Sequence, residues 1–142
     1  MNTSTDFSKK PLSLQVAVGY KNIMWGVSLI LMAVSYSIEN KPLRVVVSAF
    51  AVIMSLLVLG TNFMKKETTD EMYTRHIGRA GDLTLNAVLL LLVVFGLFCS
   101  SVKKVLSMEQ VIFITAGFGG ILYGLLFNLF EKADEQTEEQ GE

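Results

Sequence analysis

The sequence predicts an all-α integral membrane four-helix bundle built from two antiparallel helical hairpins. Three observations carry that prediction. The chain holds long blocks that are apolar on every side, whereas a helix at the surface of a water-soluble core keeps a polar face. Its 142 residues are 51% hydrophobic with a mean hydropathy of +0.49. Only 18% are charged, and these cluster between the apolar blocks instead of being scattered. A helix of about 20 residues crosses a hydrocarbon core about 30 Å thick, so each block reads as a bilayer span. The spans are placed at 16–38, 43–64, 83–100 and 111–130, forming one membrane domain over 16–130.

Residues 1–15 form a polar tail with no short apolar core and cleavage site, so the first span is expected to direct insertion itself. Lys21 sits at headgroup depth, and Tyr20, Trp25 and Tyr36 lie near the span ends, where amphipathic rings prefer to be. Gly26 and Ala33 are seven apart, share a face and invite close helix approach. Asn40 is placed to cap the second span, with Pro42 in its first turn, where a missing N–H costs nothing. Ser48, Ala51 and Ser55 make a small-residue stripe along that span.

A charged segment, 65–82, follows. Thr68 and Glu71 fit a capping box, and the helix can then run without a proline into the third span. Glu71 and Arg75 are spaced as an i,i+4 pair. Arg75, Arg79, Asp82 and Asn86 share one face and descend about one turn into the bilayer. Ile77, Ala80 and Thr84 lie on another face suited to packing. Ser107 and Gln110 form a second capping box opening the fourth span. Ala116, Gly120 and Gly124, with Gly117 beside them, give that span a small-residue packing face, either toward Gly26 and Ala33 of the first span, which is favoured, or toward the fourth span of a second copy. Phe113, Ile114, Ile121, Leu125 and Leu129 are assigned to acyl chains. The tail 131–142, with six acids and one lysine, is expected to be disordered.

Lys and Arg distribution sets orientation. With the N-terminus inside, eight basic residues face the cytoplasm (Lys9, Lys10, Lys21, Lys65, Lys66, Arg75, Arg79 and Lys132) and four face out (Lys41, Arg44, Lys103 and Lys104). The expected location is therefore the cell membrane, multi-pass, with both termini cytoplasmic.

The chemistry on offer is sparse. One histidine and one cysteine exclude a disulfide framework and a His/Cys metal site. His76 reads as a surface or interfacial residue; Asp70, Glu71 and Asp82 beside it read as capping and pairing groups rather than cation ligands. No acid lies mid-span, which argues against a proton-coupled transporter. Asn62, Asn86 and Asn128 fall near the cytoplasmic ends of their spans, where they suit interhelical hydrogen bonding over the alternative of a shallow polar binding site. The nucleophile-elbow, phosphate-loop and zinc-protease patterns are absent, as is a basic-aromatic surface for nucleic acid. No catalytic, cofactor or metal residue is assigned.

Asp70-Glu71, then Arg79-Ala80-Gly81 and Thr84 ahead of a span, resembles a motif of small prokaryotic four-span membrane proteins grouped as domains of unknown function. Met72 stands where those proteins carry an arginine, and the spacing at Ile77 differs by one. The resemblance implies the four-span architecture and no activity, with a loose association with small transcriptional regulators.

The functional expectation is a non-enzymatic membrane protein acting through protein–protein interaction, with regulation as one such role. Its surface would be the 65–82 segment with Arg75, Arg79, Asp82 and Asn86, and its partner another copy or a membrane or cytoplasmic protein. The alternative is a small homodimeric transporter or an immunity or resistance protein.

Overall fold

The computed structural model describes residues 13–61, 71–97 and 106–139. It is all-α. A π-helical turn, Gln15–Tyr20, leads into α1, Lys21–Ser35; α2 is Lys41–Gly60, α3 is Glu71–Leu97 and α4 is Met108–Glu139. Among the described residues, four helical stretches are long and apolar enough to cross a membrane: Gln15–Ser35, Lys41–Gly60, Glu71–Phe95 and Met108–Ala133.

Local chemistry fixes the helix starts. The Asn40 side chain accepts from the N–H of Leu43, and Pro42 occupies the first turn of α2. At α4, the Ser107 N–H donates to Gln110 Oε1 (2.8 Å) while the Gln110 N–H donates to Ser107 Oγ (3.3 Å), a reciprocal capping box. The box expected at Thr68 lies outside the described residues. The charged segment and third span form one uninterrupted helix from Glu71.

Two boundaries differ from expectation. α1 ends at Ser35, followed by a turn at 36–37, because Asn40 and Pro42 already start the next helix. The fourth helix continues to Glu139, so residues 131–139 are helical where disorder was expected. That stretch, EKADEQTEE, contains no Gly or Pro and is rich in good helix formers, so it extends a helix already nucleated upstream.

The helices stand in the order α2–α1–α4–α3. α1 and α4 make the most extensive contact; α2 packs on α1, and α3 packs on α4. The α1–α4 seam is antiparallel and follows a seven-residue step on both helices. Gly19, Gly26 and Ala33 face Gly124, Gly117 and Gln110 in turn. A Cβ on Gly117 would lie 2.7 Å from the Gly26 carbonyl oxygen; one on Gly120 would lie 3.2 Å from Gly26 Cα. Close backbone approach of this kind supplies the van der Waals contact that holds helices together in lipid.

The seam corrects part of the expected face. Gly26, Ala33, Gly120 and Gly124 lie in it, but Ala116 is exposed and Gly117 takes its place. Gly117 and Gly124 are seven apart, nearly two full turns, whereas Ala116 lies a further 100° round the helix. Two residues assigned to acyl chains also move inward: Ile121 packs on Gly26, and Phe113 stacks on Tyr36 with ring centroids 6.1 Å apart. Leu125 and Leu129 are exposed as expected.

Polar groups complete the seams. Gln110 Nε2 donates to the Ala33 carbonyl (3.2 Å) and to Ser37 Oγ (2.8 Å), so one side chain caps α4 and ties it to the end of α1. Ser28 and Ser55 are joined by a 2.9 Å hydrogen bond between α1 and α2, beside the fully buried Ala51. At the opposite end of α4, an apolar cluster of Leu14, Val18, Ala80 and Phe127 joins the π-helical turn, α3 and α4.

Candidate functional site

α3 carries the polar residues that the packing leaves over. Its inner face follows steps of three and four: Tyr73, His76, Ala80, Thr84 and Val88. Ala80 is fully buried, and Thr84 and Val88 approach Gly119 of α4. The helix repeat then turns Arg75, Arg79, Asp82 and Asn86 to the other side, where all four are exposed. The stripe read from the sequence is thus brought together on one face, turned away from α4. The expected Glu71–Arg75 pair does not close within 4.0 Å among the described residues. Both side chains are exposed, and a solvated pair gains little by closing.

His76 is the clearest departure from expectation. It is 3% exposed, its Nδ1 lies 3.0 Å from Glu131 Oε2 on α4, and its ring packs against Phe127 and Phe130. Its position three after Tyr73 and four before Ala80 puts it on the inner face; the periodicity carried that signal, and its polarity masked it. Glu131 reaches it because α4 continues past the apolar block. His76 therefore does not gather Glu71 or Asp82, which are exposed on other sides of α3; Asp70 lies outside the described residues. No cluster of three or more His, Cys, Asp or Glu that could hold a metal occurs among the described residues.

The asparagines do not assemble either. Asn86 is on the outer face of α3, while Asn128 lies against Gly19 at the α1–α4 seam. Asn62 lies outside the described residues. Asn128 Oδ1, Thr84 Oγ1 and Thr115 Oγ1 are buried without a hydrogen-bond partner among the described residues. A shallow cleft of about 200 Å³ opens between α1 and α2, lined by Lys21, Asn22, Trp25, Val58 and Leu59.

The outer α3 face is a surface of cationic, anionic and amide groups on a rigid helix. Groups of these types can form ion pairs and hydrogen bonds with a complementary surface. No protein-family model matches this chain, and no curated protein or solved structure matches it.

Proposed function

We propose that this chain is a multi-pass cell-membrane protein with both termini in the cytoplasm, acting by binding other protein chains and not by catalysis. One observation carries the reading: Arg75, Arg79, Asp82 and Asn86 are exposed together on the α3 face that internal packing does not use. A charged and amide stripe that enters an apolar helix is costly to leave against lipid, and such residues are retained for contact or function. The lipid bilayer is the other partner, met by the exposed leucines and valines of α2 and α3. The orientation rests on the excess of Lys and Arg in the segments assigned to the cytoplasm.

The test is affinity capture of the full chain from mild-detergent extracts, with the complex sized on a column. The wild type is expected to elute as a complex with protein partners, its own copies included. The double variant Arg79→Ala/Asp82→Ala is expected to elute as the free chain with unchanged helicity. A wild type that elutes only as the free chain would refute the reading. A second reading, a small homodimeric transporter or a resistance protein, is favoured by the Lys21–Trp25 cleft between α1 and α2. It predicts that Trp25→Ala impairs solute movement without changing complex size.

A further inference from the structure

We infer that the occupant of the outer α3 face is a second copy of this chain, docked through a parallel α3–α3 contact about a two-fold axis along the membrane normal. This rests on reading that face as an interaction surface, and it names the partner and the register.

The first argument is periodicity. Arg75, Arg79, Asp82, Asn86, Leu89 and Val93 follow one another at steps of four, three, four, three and four. At 3.6 residues per turn these six positions fall within an arc of about 80°. All six are exposed, with Leu89 at 50% and Val93 at 57%. Alternating steps of four and three are the pattern of a helix that meets another at a left-handed crossing of about 20°. The opposite face of α3 is already occupied by α4, so this seam is a second, separate surface.

The second argument is the cost of leaving the seam bare. No charged residue occurs between Asp82 and Lys103, so hydrocarbon begins just beyond Asp82. Asn86, one turn on, lies about 6 Å deeper. An amide facing lipid without a hydrogen-bond partner is unfavourable, so a neighbouring helix that supplies one is favoured.

The third argument identifies the occupant. Copies inserted the same way meet in parallel, so each position faces its own equivalent. Arg79 and Asp82 then each face their own equivalent, and Arg79 of one copy also reaches Asp82 of the second, one turn away, so each of the four charges has two opposite charges and one like charge around it. Asn86 meets Asn86 of the second copy, and each amide can both donate and accept, a pairing that favours dimers at a helix seam. Arg75 meets its equivalent in the aqueous layer, where salt screens like charges. The stripe carries both signs one turn apart, so it complements itself. A partner of one sign would leave either Arg79 or Asp82 opposed.

The experiment uses the full chain in its native membrane, with a benzophenone-bearing residue at Leu89 or Val93, and at Leu85 and Leu57 as exposed comparison sites. The expected product is an adduct at twice the 15.7 kDa of the chain from Leu89 and Val93 and not from Leu85 or Leu57. Arg79→Asp puts four acids at the seam and is expected to lower that yield about tenfold. Adding Asp82→Arg restores the reciprocal pairing and the yield. Asn86→Leu is expected to weaken the dimer about threefold, the usual worth of one interhelical hydrogen bond. Equal yields at all four sites, or a yield unmoved by Arg79→Asp, would overturn the inference. Adducts at other masses only would also overturn it, while the interaction reading of this face would survive. No adduct from either seam site would remove both.

Discussion

Replacing Gly117 with alanine adds one methyl group at a close approach of α1 and α4. The new Cβ would stand 2.7 Å from the carbonyl oxygen of Gly26, 2.8 Å from Ile30 Cγ1 and 3.2 Å from the Ile30 nitrogen. Ordinary contact begins near 3.4 Å, so the helices must part by 0.7 Å at this point. The obstacle is backbone, which a rotamer change cannot clear. A gap of about 0.5–1 Å forfeits a quarter to a half of each dispersion contact along the seam. Overpacking of this kind costs about 1–3 kcal/mol. The gain in helix propensity from Gly to Ala, about 1 kcal/mol, offsets part of it. The net expectation is destabilisation by up to about 2 kcal/mol, measured as a shift in SDS-titration unfolding of the purified protein in mild detergent. Gly78 provides the internal comparison: a Cβ there meets nothing within 4 Å, so Gly78→Ala collects the propensity term alone and should stabilise by up to about 1 kcal/mol. If Gly117→Ala is as stable as Gly78→Ala, the close seam and the reasoning built on it are wrong.

Other perturbations separate the remaining contacts. His76→Ala leaves the Glu131 carboxylate without the imidazole and a void beside Phe127. It should cost about 1–3 kcal/mol in the same unfolding assay, with Glu131→Gln costing less because the amide keeps a hydrogen bond. Gln110→Ala removes the Gln110 side-chain half of the capping box and the link to Ala33 and Ser37, and keeps the bond from the residue-110 N–H to Ser107 Oγ. A loss of about 1–2 kcal/mol is expected, and a change below the assay error would show that the Gln110 side chain is dispensable. In a Cys99→Ser background, a cysteine at Lys41 should react with a membrane-impermeant thiol reagent in intact cells and one at Thr137 should not; the reverse pattern would invert the topology.

The helices, and the starts of α2 and α4, were legible because each depends on neighbours in sequence. Asn40 before Pro42, and Ser107 three before Gln110, are local signals with a local outcome. The small residues announced a close seam, but its exact line needed the partner. Ala116 and Gly117 are both small, and only the register against Gly26 and Ile30 selects Gly117. His76 was misplaced because a polar side chain argues for water unless a partner is known, and Glu131 is 55 residues away, in a stretch that composition alone reads as tail. The stripe from Arg75 to Asn86 was visible in full, since its face follows from helix repeat alone.

The order α2–α1–α4–α3 has a consequence for how the protein is made. Gly26 and Gly117 touch, yet they are 91 positions apart in the chain. At about 5–20 residues per second, synthesis takes roughly 5–18 s to deliver the second glycine after the first. During that interval α1 and α2 can already pair through Ser28 and Ser55. The groove of Gly19, Gly26 and Ala33 stays unfilled, and α3 arrives before the helix it rests on. A ribosome paused before residue 108 would hold a half-assembled protein in the bilayer. The arrival of α4 then fills the groove and seats α3 together, making the last helix the step that commits the whole chain.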